Sequence, residues 1–338
     1  MTDKNRSPFF SLLALLLVAF LLYLYAERWL RALLLYLAGA DWANRLVTEF
    51  PPAWYVASRF VAGETRADAI SVARRLNEKG ITTTMAYLGE SITDVAEANA
   101  ARDEILSMLD DISHSGVRGH VSVKLSQLGL KIDRQLTLDN MRRILERAQA
   151  HDIFVRIDME ESELVEPTLE LFHILRDEHG FSNTGVVIQS YLYRSEADVR
   201  RLIGEGVSVR LCKGAYNEPP EIAFSEKAAT NENFVRLAKM LLSEQARANG
   251  AYAAIATHDD EMLAATMAYA RAQDIAPDAF EFQMLHGVRR PTQEALAQQG
   301  YRVRVYIPYG TAWYPYFMRR LAERPANLWF FIVNFFRH

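Results

Sequence analysis

Short apolar runs alternate with amphipathic stretches along most of this chain. Eight runs rich in β-branched and aromatic residues predict strands, and they lie at Thr82–Leu88, His120–Ser126, Ile153–Asp158, Gly185–Ser190, Val207–Cys212, Ala253–Thr257, Phe280–Leu285 and Arg302–Ile307. Between them apolar residues recur at helical spacing, as at Arg66–Lys79, Asp94–Ser113, Leu138–Gln149, Glu163–His179, Glu221–Ala248 and Asp260–Gln273. Strands that alternate with helices are typical of a parallel sheet, and eight is the number that closes a (β/α)8 barrel.

The alternative arrangement of these elements is a doubly wound open sheet. A glycine-rich turn after the first strand would favour that fold, but the sequence contains neither a GxGxxG nor a Walker A motif. We therefore predict an α/β fold in which the strands close into a TIM-type barrel.

The N-terminal part has a different composition. Phe9–Tyr25 contains no charged residue, and its Leu, Phe and Val side chains give an upper estimate of roughly −4 to −7 kcal/mol for membrane insertion. The bulky, charged stretch Tyr23–Trp29 does not resemble a cleavage site. We predict a retained membrane anchor in residues 1–30 and a barrel domain over residues 31–338; the alternative for the first segment is a buried core helix. The amphipathic piece Trp29–Leu37 is expected to lie along the membrane interface.

The bulk composition excludes several other classes of protein. The net charge of −4 and the 24% of charged residues give no basic excess, so no nucleic-acid partner is expected. Cys212 is the single cysteine in the sequence, which excludes an intramolecular disulfide and a metal site built from several cysteines. The histidines lack a paired spacing such as HExxH, and no structural metal is expected.

Polar side chains follow the predicted strands at the end where TIM barrels place their chemistry. The polar residues are Lys124, Asp158, Gln189, Arg210, Lys213, Thr257, His258, His286 and Tyr306, and the apolar Leu285 lies next to His286 at the end of strand seven. Each has an ordinary explanation by itself: a lysine there is often solvated, and the Thr–His–Asp run is usually an N-cap, with Asp259 or Asp260 as the capping residue. Their recurrence on most strands predicts a single site, and its excess of cations predicts a ligand with a phosphate, a carboxylate or both.

The stretch Val303–Glu323 carries a further candidate. A strand-like run ends at Tyr306, breaks at a Pro–Gly turn, and is followed by a helix with Arg319 and Arg320. Paired guanidiniums beside several tyrosines suit a small carboxylate against an aromatic wall. The alternative is an ordinary strand-to-helix junction with a solvated, arginine-rich turn.

Small residues and a central cation suggest a planar cofactor. Lys213, Gly214 and Ala215 allow backbone N–H groups to approach a phosphate or a ring edge. Gln189, Thr257 and His258 are candidates to bond the polar edge or the ribityl and phosphate chain of such a cofactor. Arg210 would place a fixed positive charge near its middle, where it would stabilise an electron-rich reduced ring.

Taken together, these motifs resemble the flavin-dependent, monofunctional proline dehydrogenases. The resemblance is carried by the motifs VRLCKGAY, IATHDDE, EFQMLHG, YIPYG…YPYFMRRLAE, VSVKLS, IDME and FVAGE…YLGES. It implies a distorted (β/α)8 barrel, non-covalently bound FAD and oxidation of L-proline to 1-pyrroline-5-carboxylate, the first step of proline catabolism to glutamate. It also implies that the electrons pass to a membrane quinone, which agrees with an anchor in membrane lipid. The expected location is a bacterial inner membrane with the catalytic domain on the cytoplasmic side.

The resemblance also implies roles for individual residues. The substrate-binding residues are the carboxylate clamp and the side chains around the pyrrolidine ring, namely Lys124, Leu285, Tyr306, Tyr316, Arg319 and Arg320. Arg210 corresponds to the arginine near flavin N5, and Asp158 to the acid that orients cationic partners. The residues expected to contact FAD are Met159, Gln189, Arg210, Lys213, Gly214, Ala215, Thr257 and His258. Glu90 corresponds to the acid that pairs with the first arginine of the clamp and closes a gate, and Glu323 is a candidate partner for the second.

The mechanism expected from the resemblance is hydride transfer from proline C5 to flavin N5. No dedicated general base is evident in the sequence. A different reading is a Schiff-base lyase or aldolase that uses Lys124 or Lys213. A third is a membrane-tethered scaffold without chemistry, which leaves the charged strand ends unexplained.

Overall fold

The computed structural model describes residues 29–30, 32–34, 36–49, 51–89 and 92–323. The chain divides into two units. The barrel unit is Arg59–Thr311, and the second unit contains the described residues before Arg59 together with those from Ala312 onward.

Eight parallel strands form a closed barrel in the order in which they occur along the chain. They are β1 (Thr82–Tyr87), β2 (Gly119–Val123), β3 (Val155–Ile157), β4 (Thr184–Gln189), β5 (Ser208–Cys212), β6 (Tyr252–Ala256), β7 (Glu281–Leu285) and β8 (Arg302–Tyr309). The barrel closes where β8 pairs with β1, with Thr84 opposite Tyr306. The predicted closed α/β barrel is therefore confirmed.

Helices follow the strands in the barrel unit and also make up the second unit. They are α1 (Asp41–Thr48), α2 (Pro51–Ala57), α3 (Arg66–Glu78), α4 (Val95–Ser115), α5 (Arg134–Ala150), α6 (Val165–His173), α7 (Ser195–Gly204), α8 (Lys227–Leu241), α9 (Glu244–Ala248), α10 (Asp260–Ala272), α11 (Arg290–Gln298) and α12 (Trp313–Glu323). Several begin at a side chain that accepts a hydrogen bond from the first turn; Thr65 and Asp68 form a capping box at α3, and Asp259 caps α10.

Two of the differences between predicted and observed boundaries concern the last strand and the helix over Glu221–Ala248. The last strand does not end at Tyr306 but continues through Pro308 to Tyr309, because it stays paired with β1 as far as Tyr87 opposite Tyr309. The single helix predicted over Glu221–Ala248 is two helices, since the Ser243 hydroxyl caps a new one by accepting from the Ala246 amide.

Side chains alternate between the two faces of the barrel wall. Aliphatic residues such as Val155, Ile157 and Val305 are fully buried in the core that the helices cover. The positions between them carry charges, and Arg210 of β5 bonds to Ser122 of β2. Bonds of this kind between non-neighbouring strands cross the barrel, so the alternate positions line its interior. The barrel therefore has a charged interior inside an apolar wall.

A short segment leads into the barrel unit and is hydrogen-bonded to its last strand. The Ala62 amide donates to Pro308, and the Gly310 amide donates to the Gly63 carbonyl at 3.0 Å. Gly287 has φ +78°, and a Cβ there would lie 1.6 Å from the Arg59 carbonyl oxygen. This lead-in segment, Arg59–Gly63, therefore fits closely against the end of β8 and the loop after β7.

In the second unit, aromatic side chains join its helices. Trp54 of α2 packs on Trp313 of α12 with ring centroids 5.3 Å apart, and the Tyr314 hydroxyl donates to the Leu37 carbonyl at 2.9 Å. Other large side chains of this unit are exposed, among them Trp29 at 73%, Tyr36 at 67%, Trp42 at 56%, Leu46 at 65% and Tyr55 at 69%.

The membrane prediction falls mostly on residues outside the described ranges. Phe9–Tyr25 lies outside the described residues. Within those that are described, no helix has both the length and the apolar character needed to span a bilayer. The stretch expected to lie along the interface is helical at residues 29–30, 32–34 and 36–38.

Candidate active site

An arginine, an aspartate and a tyrosine meet at the carboxyl ends of β3, β5 and β8. The Arg210 Nη1 donates to Asp158 Oδ1 at 2.6 Å, and the Tyr306 hydroxyl donates to Asp158 Oδ2 at 2.8 Å. The Arg210 guanidinium also lies over the Tyr306 ring, 5.4 Å from its centroid. We call these three residues the mouth cluster. Asp158 and Arg210 are both buried, so the ion pair lies in a poorly hydrated place where its field is strong.

Lys124 lies beside this cluster. It follows β2, and its Nζ is 3.9 Å from Asp158 Oδ2, the oxygen that also accepts from Tyr306. One carboxylate therefore faces two cations. The buried carboxylate of Glu160 is also close enough to Lys124 for the two charges to interact. The anionic ligand expected from the sequence remains a prediction.

Below the mouth cluster lies a second set of charges, which we call the inner cluster: Arg156, Glu281 and Arg304. Arg304 Nε contacts both carboxylate oxygens of Glu281, at 3.0 and 3.1 Å, and Arg304 Nη1 donates to the Thr83 carbonyl at 2.8 Å. Burial would raise the pKa of Glu281, but Arg304, Gln283 and Arg156 together outweigh it and hold that pKa below its usual value. Glu281 is therefore an anion at neutral pH.

Arg156 is the most deeply buried cation of the interior. It donates to the Val186 carbonyl at 2.9 Å and to the Ser208 hydroxyl at 2.8 Å. Burial, reinforced by the charge of Arg210, lowers the pKa of Arg156 to about 9. Gly185 leaves room for it, because a Cβ at that position would lie 2.8 Å from the guanidinium.

Residues at or just after the ends of β4, β5 and β6 also present hydrogen-bonding groups. Gln189 donates to the Glu160 carbonyl at 3.2 Å, while its own buried Oε1 has no hydrogen-bond partner among the described residues. Lys213 Nζ is paired with Asp259 at 2.6 Å. Burial would raise the pKa of Asp259, but Lys213, the Glu261 amide and Lys227 together outweigh it and lower that pKa. The Leu285 amide donates to His258 Nε2 at 2.9 Å, so the proton of a neutral His258 lies on Nδ1.

A glycine allows the loop after β5 to pack closely against an aromatic ring. Gly214 has φ +108°, a conformation that L residues rarely adopt, and a Cβ there would lie 2.2 Å from the Tyr191 ring. The Tyr191 hydroxyl donates to Glu218 at 3.4 Å, and Glu218 also accepts from the Ser162 amide at 2.7 Å. The loop after β5 is therefore held against a fixed aromatic ring.

Comparison with known proteins identifies the family. The family model described as proline dehydrogenase matches residues 69–331. The chain is 41% identical over 287 residues to proline dehydrogenase 1 of Bacillus subtilis, covering 84% of this chain and 93% of that one. This chain belongs to the proline dehydrogenase family. It is thus an oxidoreductase of proline catabolism.

Other members of the proline dehydrogenase family show the same match. Proline dehydrogenase of Deinococcus radiodurans is 40% identical over 282 residues, covering 82% of this chain and 89% of that one. Among solved structures, proline utilization A from Bdellovibrio bacteriovorus, inactivated by N-propargylglycine, aligns with a TM-score of 0.75 and 28% identity. That alignment covers 80% of this chain but 32% of the longer protein, so the likeness extends to one part of it.

The structure brings together the proline dehydrogenase site residues that lie on the barrel. Those placed at its mouth are Lys124, Asp158, Met159, Gln189, Arg210, Lys213, Gly214, Ala215, Thr257, His258, Leu285 and Tyr306. In the second unit, helix α12 carries the other three, Tyr316, Arg319 and Arg320, and the Arg320 guanidinium lies 5.1 Å from the centroid of the Tyr316 ring. Glu90 and the side chain of Glu323 lie outside the described residues. The roles assigned to these residues remain predictions.

The inner cluster is absent from the sequence prediction, together with Gln283, which touches both clusters. Each member of the inner cluster precedes a residue of the barrel mouth by two positions, giving the pairs Arg156 and Asp158, Glu281 and Gln283, and Arg304 and Tyr306. The period-2 spacing of these polar residues between buried aliphatic ones was the signal that would have found them.

Proposed function

We propose that this proline dehydrogenase oxidises L-proline to 1-pyrroline-5-carboxylate with FAD bound non-covalently at the barrel mouth, and that the electrons pass to a membrane quinone. The observation that carries the proposal is the mouth cluster, a buried Arg210 fixed by Asp158 and Tyr306 at the carboxyl end of the barrel. Membership of the family indicates proline as the substrate. Arg210 of the mouth cluster is a fixed cation, which stabilises the negative charge that develops during a two-electron oxidation.

The mouth residues fit a flavin. The unpaired acceptor Gln189 Oε1 suits the imide N–H of the ring, and Gly214 has no side chain of its own between its backbone and a ligand. Lys213 and the Thr257–His258 pair are the candidates for the ribityl and phosphate groups. When bound, FAD would accept a hydride from proline C5 at its N5 atom.

The chain contributes orientation and charge to this reaction. Arg210 presents a positive charge that stabilises negative charge as it develops nearby, and it is already in place before the reaction begins. Asp158 holds the guanidinium through the hydrogen bond from Nη1 to Oδ1, at 2.6 Å. Tyr306 contributes a ring edge beside the substrate and a hydroxyl that fixes the second oxygen of Asp158.

The substrate carboxylate is assigned to Arg319 and Arg320, assisted by Lys124, with Leu285 and Tyr316 beside the ring. Charge-assisted hydrogen bonds of this kind contribute about 1.5–3 kcal/mol each when shielded from water. Replacing either arginine with methionine should therefore raise KM for proline more than it lowers kcat. A double R319M/R320M variant that retained the kcat/KM of the unchanged enzyme would disprove the clamp.

The deciding experiment is anaerobic reduction of the purified protein by proline. We expect a yellow protein whose flavin absorbance is released on denaturation and bleached by proline, and then restored by a quinone analogue. A colourless protein, or a yellow one that proline does not bleach, would contradict the proposal.

The same preparation tests the lyase alternative. A Schiff-base lysine attacks as a neutral amine. The Lys213 Nζ is instead engaged by Asp259 at 2.6 Å, and this contact argues against the role. Borohydride trapping of substrate on Lys124 or Lys213 would nevertheless establish it.

For the cellular location, we propose attachment to a bacterial inner membrane through Phe9–Tyr25, with the barrel domain of residues 31–338 on the cytoplasmic side. The exposed Trp29, Tyr36 and Trp42 support it, since tryptophan and tyrosine favour the membrane interface. An anchor confines the enzyme to the layer that contains a lipid-soluble acceptor. Deleting residues 1–25 should release active enzyme into the soluble fraction; a full-length protein that is soluble without detergent would contradict the anchor.

A further inference from the structure

A buried glutamine connects the inner cluster to the mouth cluster. Gln283 of β7 is 4% exposed. Its Oε1 accepts from Arg210 Nε at 2.5 Å, and its Nε2 donates to Glu281 Oε1. The hydrogen bonds therefore run without a break from Arg304, through Glu281 and Gln283, to Arg210.

The chemistry of its neighbours allows only one orientation of the Gln283 amide. A carboxylate such as Glu281 only accepts hydrogen bonds, and a guanidinium such as Arg210 only donates them. Rotating the amide by half a turn would place oxygen against oxygen and nitrogen against nitrogen. Glu281 thus selects the orientation in which the carbonyl faces Arg210, and Arg304 holds Glu281 in position through both of its oxygens.

The bond to Gln283 also completes the fixing of the guanidinium plane. The two terminal nitrogens of Arg210 are bonded at the far side, Nη1 to Asp158 at 2.6 Å and Nη2 to Ser122 at 3.0 Å. The Tyr306 ring lies against the face of the group, with its centroid 5.4 Å from the guanidinium carbon. The contact at Nε holds the end of the guanidinium that the bonds to Asp158 and Ser122 do not reach.

We propose that Gln283 is a positioning residue, which sets the plane of the Arg210 guanidinium against the reacting ring, and that Glu281 acts through it. This inference rests on the proposed function, since it concerns the same cation. Gln283 does not need to touch substrate or cofactor. Its contribution is to keep the positive charge in one place while the electrons are transferred.

The test compares Gln283→Met with the unchanged enzyme, because methionine has nearly the same shape but neither accepts from Arg210 nor donates to Glu281. We expect the two-electron midpoint potential of the bound flavin to fall by about 30 mV, the equivalent of a tenfold change in equilibrium constant. We also expect kcat to fall about tenfold with KM for proline little changed, since the carboxylate is bound by other residues.

A matched control and a second variant keep the outcome clear. The matched control is Asn183→Leu. The Asn183 amide donates to the backbone carbonyls of Leu145 and Ile153, and the residue lies before β4, away from the mouth. This substitution should lower the melting temperature without changing the potential. If Gln283→Met does not fold, Gln283→Leu removes the same two hydrogen bonds with a different side-chain shape, and it should lower the potential and kcat in the same direction.

The two proposals fail differently. If the unchanged enzyme is not reduced by proline, the proposed function is wrong. If it is reduced, and the folded Gln283 variants keep both its midpoint potential and its kcat, the proposed function stands and the positioning role is overturned.

Discussion

The unequal number of charges inside the barrel predicts an asymmetry between two substitutions. The inner and mouth clusters contain three guanidiniums, Arg156, Arg210 and Arg304, and two carboxylates, Asp158 and Glu281. Glu281→Met leaves three cations with one anion, whereas Arg304→Met leaves two of each. We therefore expect the loss of the acid to destabilise the fold more than the loss of its base.

The burial of this pair sets the magnitude. The side chains of Arg304 and Glu281 are 9% and 5% exposed, so either partner left alone cannot be stabilised by water. Removing one member of a buried pair costs about 3–5 kcal/mol, against a total stability of about 5–15 kcal/mol for a domain. We expect Glu281→Met at the upper end of that range. Arg304→Met should cost about 1–2 kcal/mol less, because Arg156 remains near Glu281.

Urea unfolding followed by circular dichroism measures this difference as a shift in midpoint at constant slope. Lys79 and Glu294 form a matched control pair on the surface, 2.6 Å apart with side chains 53% and 40% exposed. Glu294→Met should cost less than about 1 kcal/mol. An Arg304→Met variant less stable than Glu281→Met would refute the reasoning from charge balance.

Three further substitutions have defined outcomes. Tyr306→Phe removes a hydroxyl that donates to Asp158, and it should lower kcat/KM for proline by about 10- to 100-fold in steady-state assays; a change below about twofold would contradict the role of that bond. Burial, with Arg290 and Arg75 nearby, lowers the pKa of His286 from 6.5 to about 4. Between these two pH values His286 is therefore protonated in the unfolded chain but neutral in the folded chain. Stability should then fall by about 3 kcal/mol as pH drops from 6.5 to 4, and unfolding midpoints of His286→Gln should show a weaker pH dependence; an unchanged dependence would be evidence against it. Gly214→Ala should lower the flavin content per protein, because its methyl group meets the Tyr191 ring, and a full flavin complement would argue against that fit.

The strands were predictable from sequence because their outward positions are aliphatic. In runs such as Val121–Val123 and Val303–Val305, alternate side chains are buried under the helices and must be apolar. This produces the regular pattern of apolar residues from which the strands were predicted. The end of β8 was not predictable, because proline usually ends a strand, whereas here the pairing with β1, which is far away in the chain, continues past Pro308 to Tyr309.

The candidate site was predictable in its composition and not in its pairing. Arg210 and Asp158 stand out as charges at strand ends, but Lys213 pairs with Asp259, a residue that the sequence marks only as a helix cap. Arg304 and Glu281 were missed because charges inside a parallel strand are unusual, such strands being apolar on both faces. That Gln283 meets Arg210 depends on the stagger of β5 and β7 around the barrel, which local sequence does not encode.

The contacts of Arg59–Gly63 set a limit on how short an active fragment can be. A protein that starts at Arg66, the first residue of α3, would leave the Pro308 carbonyl and the Gly310 amide without the partners they have in the intact chain. It would also uncover Gly287, beside the loop that follows Leu285. Expression trials that search for the smallest stable version should therefore place every start site upstream of Arg59.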